Sequence, residues 1–119
     1  MLYHVEVFWP GIIKRQLPTN TAMLVATEHA KNAARNDRYG IIPLPKMVNF
    51  GGVQFIEAEI DEKRTLTKIV IRIPHSADKD IVMALMPIKG GWLIKTVWYN
   101  LNSDNHKTLN KSRYVKGVS

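Results

Sequence analysis

Between Val53 and Asn100 the chain alternates apolar segments with short polar breaks, and this spacing constrains the fold more than any other feature. Val53 to Ile60, Thr65 to Pro74, Ile81 to Pro87 and Trp92 to Asn100 read as strands, rich in β-branched and aromatic residues. Asp61-Glu62-Lys63-Arg64 is a polar connection of hairpin length, His75 follows Pro74 at a second corner, and Lys89-Gly90-Gly91 is a glycine turn. Connections this short join antiparallel neighbours, because a parallel crossover needs a dozen residues or more. An antiparallel meander is therefore expected. Within its second strand Ile69, Ile71 and Ile73 share one face, which sends Val70 and Arg72 to the other.

Upstream, Met1 to Trp9 reads as a strand in which Val5 and Val7 alternate with Glu6 and Phe8, closed by Pro10-Gly11. Gly11 to Pro18 has no clear period. A helix is expected from a cap at Thr19, Asn20 or Thr21 to about Tyr39, where Gly40 supplies a stop. Met23, Ala26, Ala30, Ala33 and Ala34 fall at spacings of three and four and form its core-facing stripe. Ile41 to Pro45, with two prolines, is an extended crossover, and Gly51-Gly52 permits a turn into the sheet. The fold expected is α+β: an N-terminal strand and helix packed on a curved antiparallel sheet of about four strands, then a short C-terminal helix or tail. A chain of 119 residues fits a single domain, residues 1–119. No apolar run approaches the roughly 20 residues needed to span a bilayer, and no signal peptide is evident, so a cytoplasmic protein with no membrane contact is expected. The absence of cysteine excludes disulfides, thiolate metal sites and cysteine nucleophiles.

Seventeen Lys and Arg against ten Asp and Glu give a net charge of +7, which favours polyanionic partners. The excess is concentrated late in the chain. Lys89 to Ser119 holds six basic residues and one acid, whereas Glu57 to Asp80 is nearly balanced. The stretch Lys95 to Tyr114 then brings together strand character, a polar break at Asn100, Asn102, Ser103, Asp104 and Asn105, the imidazole of His106, several hydroxyls and the cations Lys107, Lys111 and Arg113. An imidazole, hydroxyls and cations beside a strand end are the ingredients for handling a phosphodiester without a metal. The bland alternative is a solvated basic face. His4 reads as an edge-strand histidine, His29 as either a solvent-exposed helix residue or one brought near the sheet by its small alanine neighbours, and His75 as an exposed corner residue able to replace His29. Trp98 reads as core or as a base-stacking ring. The four histidines lack close ligand spacing, so neither a metal nor any other cofactor is expected, and no glycine-rich phosphate loop is present.

Two segments carry a family resemblance. Thr27-Glu28-His29-Ala30 with Ala33, Arg38, Gly40 and Ile41, and Lys95-Thr96-Val97-Trp98-Tyr99-Asn100 with Asp104, His106, Thr108, Leu109 and Tyr114, resemble the helix and the C-terminal strand of the barnase, EndoU, colicin and RelE superfamily of small ribonucleases and toxins, in its phage and polymorphic-toxin members. The resemblance implies RNA as partner and metal-independent RNA cleavage. In that chemistry a base deprotonates the ribose 2′-hydroxyl, the oxygen attacks phosphorus, a cation stabilises the phosphorane and an acid protonates the departing 5′-oxygen. The residues that would carry it are His29 and His106 for proton transfer, with base and acid not distinguished, Arg72 for phosphate stabilisation, and Thr96 with Tyr99 or Tyr114 for positioning. Lys95, Lys107, Lys111, Arg113 and Tyr114 would hold the RNA. A cognate inhibitor or a host protein is the protein partner such an activity implies. The second reading of the same residues is a phage-type accessory module that binds nucleic acid or a host protein without turnover.

Overall fold

The computed structural model describes residues 11–101 together with the backbone of Leu2–His4. The described elements are β1 (Leu2–His4), α1 (Gly11–Lys14), β2 (Thr21–Ala26), α2 (Glu28–Arg35), β3 (Met47–Asn49), a 3-10 turn (Phe50–Gly52), β4 (Gln54–Ile60), β5 (Leu66–Pro74), β6 (Lys79–Ile88) and β7 (Gly91–Leu101). The class is α+β. Among the described residues the sheet has seven strands, in the order β1-β4-β5-β6-β7-β2-β3, rather than about four.

The meander β4 to β7 is antiparallel, as its short connections require. The additional strands lie outside it. β1 and β3 pair antiparallel with β4 and β2, and β2 runs parallel to β7. The parallel pair makes the sheet mixed and overturns the expected long helix, whose first third is β2. Thr21 and Val25 are β-branched, Leu24 is buried while Met23 and Val25 on either side are exposed, and the Leu24 N–H donates to the Lys46 carbonyl at 2.8 Å. Met23 is therefore a surface residue of a strand and not part of a helical stripe. Only Ala30 and Ala34 of that stripe are fully buried, with Ala26 and Ala33 packed beside them. Gly11–Lys14, where no period was legible, forms one short helical turn.

The helix that does form begins at Thr27, whose backbone is extended and whose hydroxyl oxygen accepts from the Ala30 N–H at 3.0 Å. The same hydroxyl donates toward the Ile94 carbonyl at 3.1 Å, and the Thr27 N–H reaches that carbonyl as well. One residue thus ends β2, starts α2 and fixes both to β7. Thr27→Ala should lower stability by about 1–2 kcal/mol in urea denaturation, because it removes the cap and a cross-strand tie, while Thr27→Ser should retain most of it.

Chain connectivity forces the sheet to curl. β3 and β4 lie five strand spacings apart in the sheet order, roughly 24 Å if flat. Asn49 and Gln54 are five residues apart, a span of roughly 17 Å at full stretch and less through a 3-10 turn. Rings close the inside of the curl: Phe50 stacks on Phe55 of β4 at 6.0 Å and meets Trp92 of β7 edge-on at 5.6 Å. This inner face also carries Ile69, Ile71, Met83, Leu85, Ile94 and Tyr99, and receives Ile13, Ala30 and Ala34 from the helices. The outer face carries a smaller buried cluster of Ile56, Val70, Val82 and Ala84, with Trp98 packed against it.

Gln16 joins α1 to the first hairpin, its amide donating to the Arg64 carbonyl and accepting from the Leu66 N–H, both at 2.8 Å. The terminal helix or tail expected after Asn100 lies outside the described residues. Among the described residues no helix is long and apolar enough to cross a membrane.

Candidate functional site

The β5–β6 turn, His75 to Asp78, sets an exposed imidazole against the end of β7. Ladder register brings this about: Ile81 is the Cα partner of both Ile73 and Tyr99, so the corner after Pro74 stands over the Tyr99 side chain on the inner face. The rings of His75 and Tyr99 are tilted by 43° with centroids 5.1 Å apart, and His75 Nε2 lies 3.3 Å from the Tyr99 hydroxyl. Tyr99 is buried, and its hydroxyl proton goes to the Ile41 carbonyl at 3.1 Å. With that proton directed to the Ile41 carbonyl, the Tyr99 oxygen accepts from His75 in the tautomer that carries a proton on Nε2, and the exposed ring keeps Nδ1 as its other nitrogen.

Asp37 anchors the same strand from behind. Its two carboxylate oxygens accept from the backbone N–H groups of Tyr99, at 3.2 Å, and Tyr39, at 3.0 Å. β2 stops pairing at Ile94, so the Tyr99 N–H would otherwise point at the end of a neighbouring strand with nothing to bond. The exposed Arg38 guanidinium sits 4.7 Å over the Tyr39 ring, placing a cation on the segment that holds Tyr99. The turn itself is tied by His75 and Ser76 N–H bonds to the Lys79 carbonyl. Donation from the Ser76 hydroxyl, and then from the Lys79 ammonium, holds the Asp78 carboxyl below its ordinary value. Asp78 therefore stays ionised at neutral pH, and its small contribution to the turn is lost only as pH falls through that depressed value.

Arg72 projects from the other face of the sheet. Its Nε donates to Asp80 Oδ2 at 2.5 Å, across the hairpin, and both side chains are largely buried. They line a cleft of about 500 Å³ with Gly51, Gly52, Gln54 and Pro74. A second, mostly apolar cleft of about 370 Å³ lies between the Pro43–Pro45 segment, Met47, Asn49, Ile73 and Ile81, and shares Gly52 and Val53 with the first. A larger cleft of about 600 Å³ opens on the β4–β5 hairpin among Glu59, Asp61, Glu62 and Arg64, where the carboxylates disfavour a polyanion.

The residues expected to act together are distributed as follows. Tyr99 meets an imidazole, that of His75 and not that of His29. His29 is exposed near the start of α2, the helix that covers the inner face. Arg72 and Thr96 lie on the outer face, Thr96 opposite Ala84 and Trp98 opposite Val82. A bulge does occur in β7, but at Lys95, before Thr96, so Thr96 and Tyr99 remain on opposite faces. Lys95 is exposed. His106, Lys107, Lys111, Arg113 and Tyr114 lie outside the described residues. Asp37, Asp80 and the Ile41 carbonyl were not singled out from sequence. Asp80 was within reach, since counting back from the hairpin pairs it with Pro74, two residues from Arg72 and on the same face. Among the described residues no three metal-ligating side chains converge. No protein-family model, curated protein or solved structure matches this chain.

Proposed function

We propose that the chain is a metal-independent endoribonuclease of the barnase, EndoU, colicin and RelE kind, acting on RNA in the cytoplasm. The observation that carries this reading is the His75–Tyr99 pair: an exposed imidazole oriented by a buried hydroxyl at 3.3 Å, in a chain of net charge +7. Orientation of a histidine by a fixed partner is what general acid–base catalysis asks of it. In the reaction one imidazole takes the 2′-hydroxyl proton as the 2′-oxygen bonds to phosphorus. A second group protonates the departing 5′-oxygen, leaving a 2′,3′-cyclic phosphate and a 5′-hydroxyl end. His106 is the second imidazole of this reading. Leu101 pairs with Lys79 at the end of the turn that carries His75, and His106 follows Leu101 by five positions in the chain. An enzyme of this kind needs a cognate inhibitor or timed synthesis to spare its own cell.

One observation favours the non-catalytic accessory module instead: Arg72 and Thr96 face away from Tyr99. Both readings meet one experiment. Purified protein is incubated with labelled RNA and with DNA of the same sequence in excess chelator. Cleavage of RNA alone, giving cyclic phosphate ends, is the expected result. Salt-sensitive binding of both strands without cleavage would replace the enzyme by the module.

A further inference from the structure

The two clefts open on opposite faces of β5, that of Arg72 on the outer and that of Ile73 on the inner, and share Gly52 and Val53 at its end; we propose that one nucleotide unit of a single strand lies over that end, phosphate against Arg72 and base in the apolar slot. The inference rests on RNA being the partner, and not on cleavage.

Arg72 spends only Nε on Asp80. Among the described residues its terminal nitrogens have no hydrogen-bond partner, although the side chain is only 14% exposed. A guanidinium fixed at one edge, on a side chain that lines a cleft and with its other N–H donors unspent, is pre-organised for an oxyanion. Asp80 holds the fork in place but also cancels its charge, so a phosphate alone should bind weakly. Affinity has to come from the adjoining slot.

That slot has the chemistry of a base site. Ile73, Ile81 and Met47 give it apolar walls, and Pro43 and Pro45 form a rigid rim. Asn49 spends its Oδ1 on the Gly51 N–H at 3.0 Å, which leaves its amide N–H groups to offer a base carbonyl or ring nitrogen. Between the halves stands Gly52, where a Cβ would meet nothing within 4 Å. A side chain at that position projects into open space at the junction and leaves the fold intact, and this makes it the point at which to test the idea.

The test follows backbone and methyl NMR signals while uridine and adenosine 3′-monophosphates are added in turn, with inorganic phosphate and free nucleosides as separate arms. A nucleotide should shift Gly51, Gly52 and Gln54 together with the Arg72 side-chain Nε and the Ile73 and Ile81 methyls. Phosphate should move the Arg72 side only, and nucleoside the isoleucine side only. Gly52→Leu should weaken nucleotide binding by about tenfold or more, and Arg72→Lys should do the same through loss of the fork. Absence of shifts at Gly51–Gln54 at millimolar nucleotide, or unchanged affinity in Gly52→Leu, overturns the proposal. RNA cleavage without these shifts removes the subsite and leaves the enzyme; the shifts without cleavage remove the enzyme and leave the subsite.

Discussion

Gly91→Ala should destabilise the protein by about 3 kcal/mol, a large part of what holds a domain of this size together. A Cβ at Gly91 would lie 2.5 Å from the carbonyl oxygen of Met23 and 3.2 Å from its carbonyl carbon. Those are backbone atoms of β2, held in place by pairing on both sides, and they cannot rotate away as a side chain would. Relief requires β2 to move off β7. That would strain the Thr27 ties to Ile94 and the seat of α2. A melting temperature lower by roughly 12 °C is expected, at about 4 °C per kcal/mol. Gly90→Ala is the matched control. Gly90 has φ of +84° but open space around it, so an alanine there meets only backbone strain of about 1 kcal/mol. If the two variants melt together, the parallel pairing is not the constraint described.

The same glycine shows where the sequence was legible and where it was not. Gly91 reads as half of a hairpin turn, and it is one; that it also lets a distant strand approach cannot be seen, because its neighbour Met23 is 68 residues earlier. The four meander strands were legible because each pairs with the next across a few residues. The alternation Ile69, Ile71, Ile73 likewise set the buried face and sent Arg72 outward. β2 was not legible, since Ala22 and Ala26 are helix formers and its strand conformation is imposed by β7. Thr27 was the available signal: a capping residue directly before Glu28 marks a helix start there and not at Thr19 to Thr21. For the site, Tyr99 and His75 were each noticed from sequence, and register counting through Ile81 would have joined them. The bond from Asp37 to the Tyr99 N–H spans 62 residues of chain and depends on how the α2–β3 connection folds back, which no local pattern encodes.

On the proposed reading, His75→Ala should lower kcat for RNA cleavage by 10²- to 10⁴-fold with little change in KM, the range for removing a positioned proton-transfer group. Tyr99→Phe should lower kcat by about tenfold, through the ring it no longer orients, and cost about 1 kcal/mol because the Ile41 carbonyl loses its donor. Tyr99 acts here through His75, and this makes the pair testable as a unit. Once His75 is gone the hydroxyl has nothing to orient, so the double variant should be no slower than His75→Ala alone. Single-turnover rates of the single and double variants, set beside their melting temperatures, separate this from a merely structural role. Full multiplication of the two losses would mean that the hydroxyl meets substrate independently. Unchanged rates in His75→Ala, in a protein that still melts as the parent does, would remove the pair from the chemistry altogether.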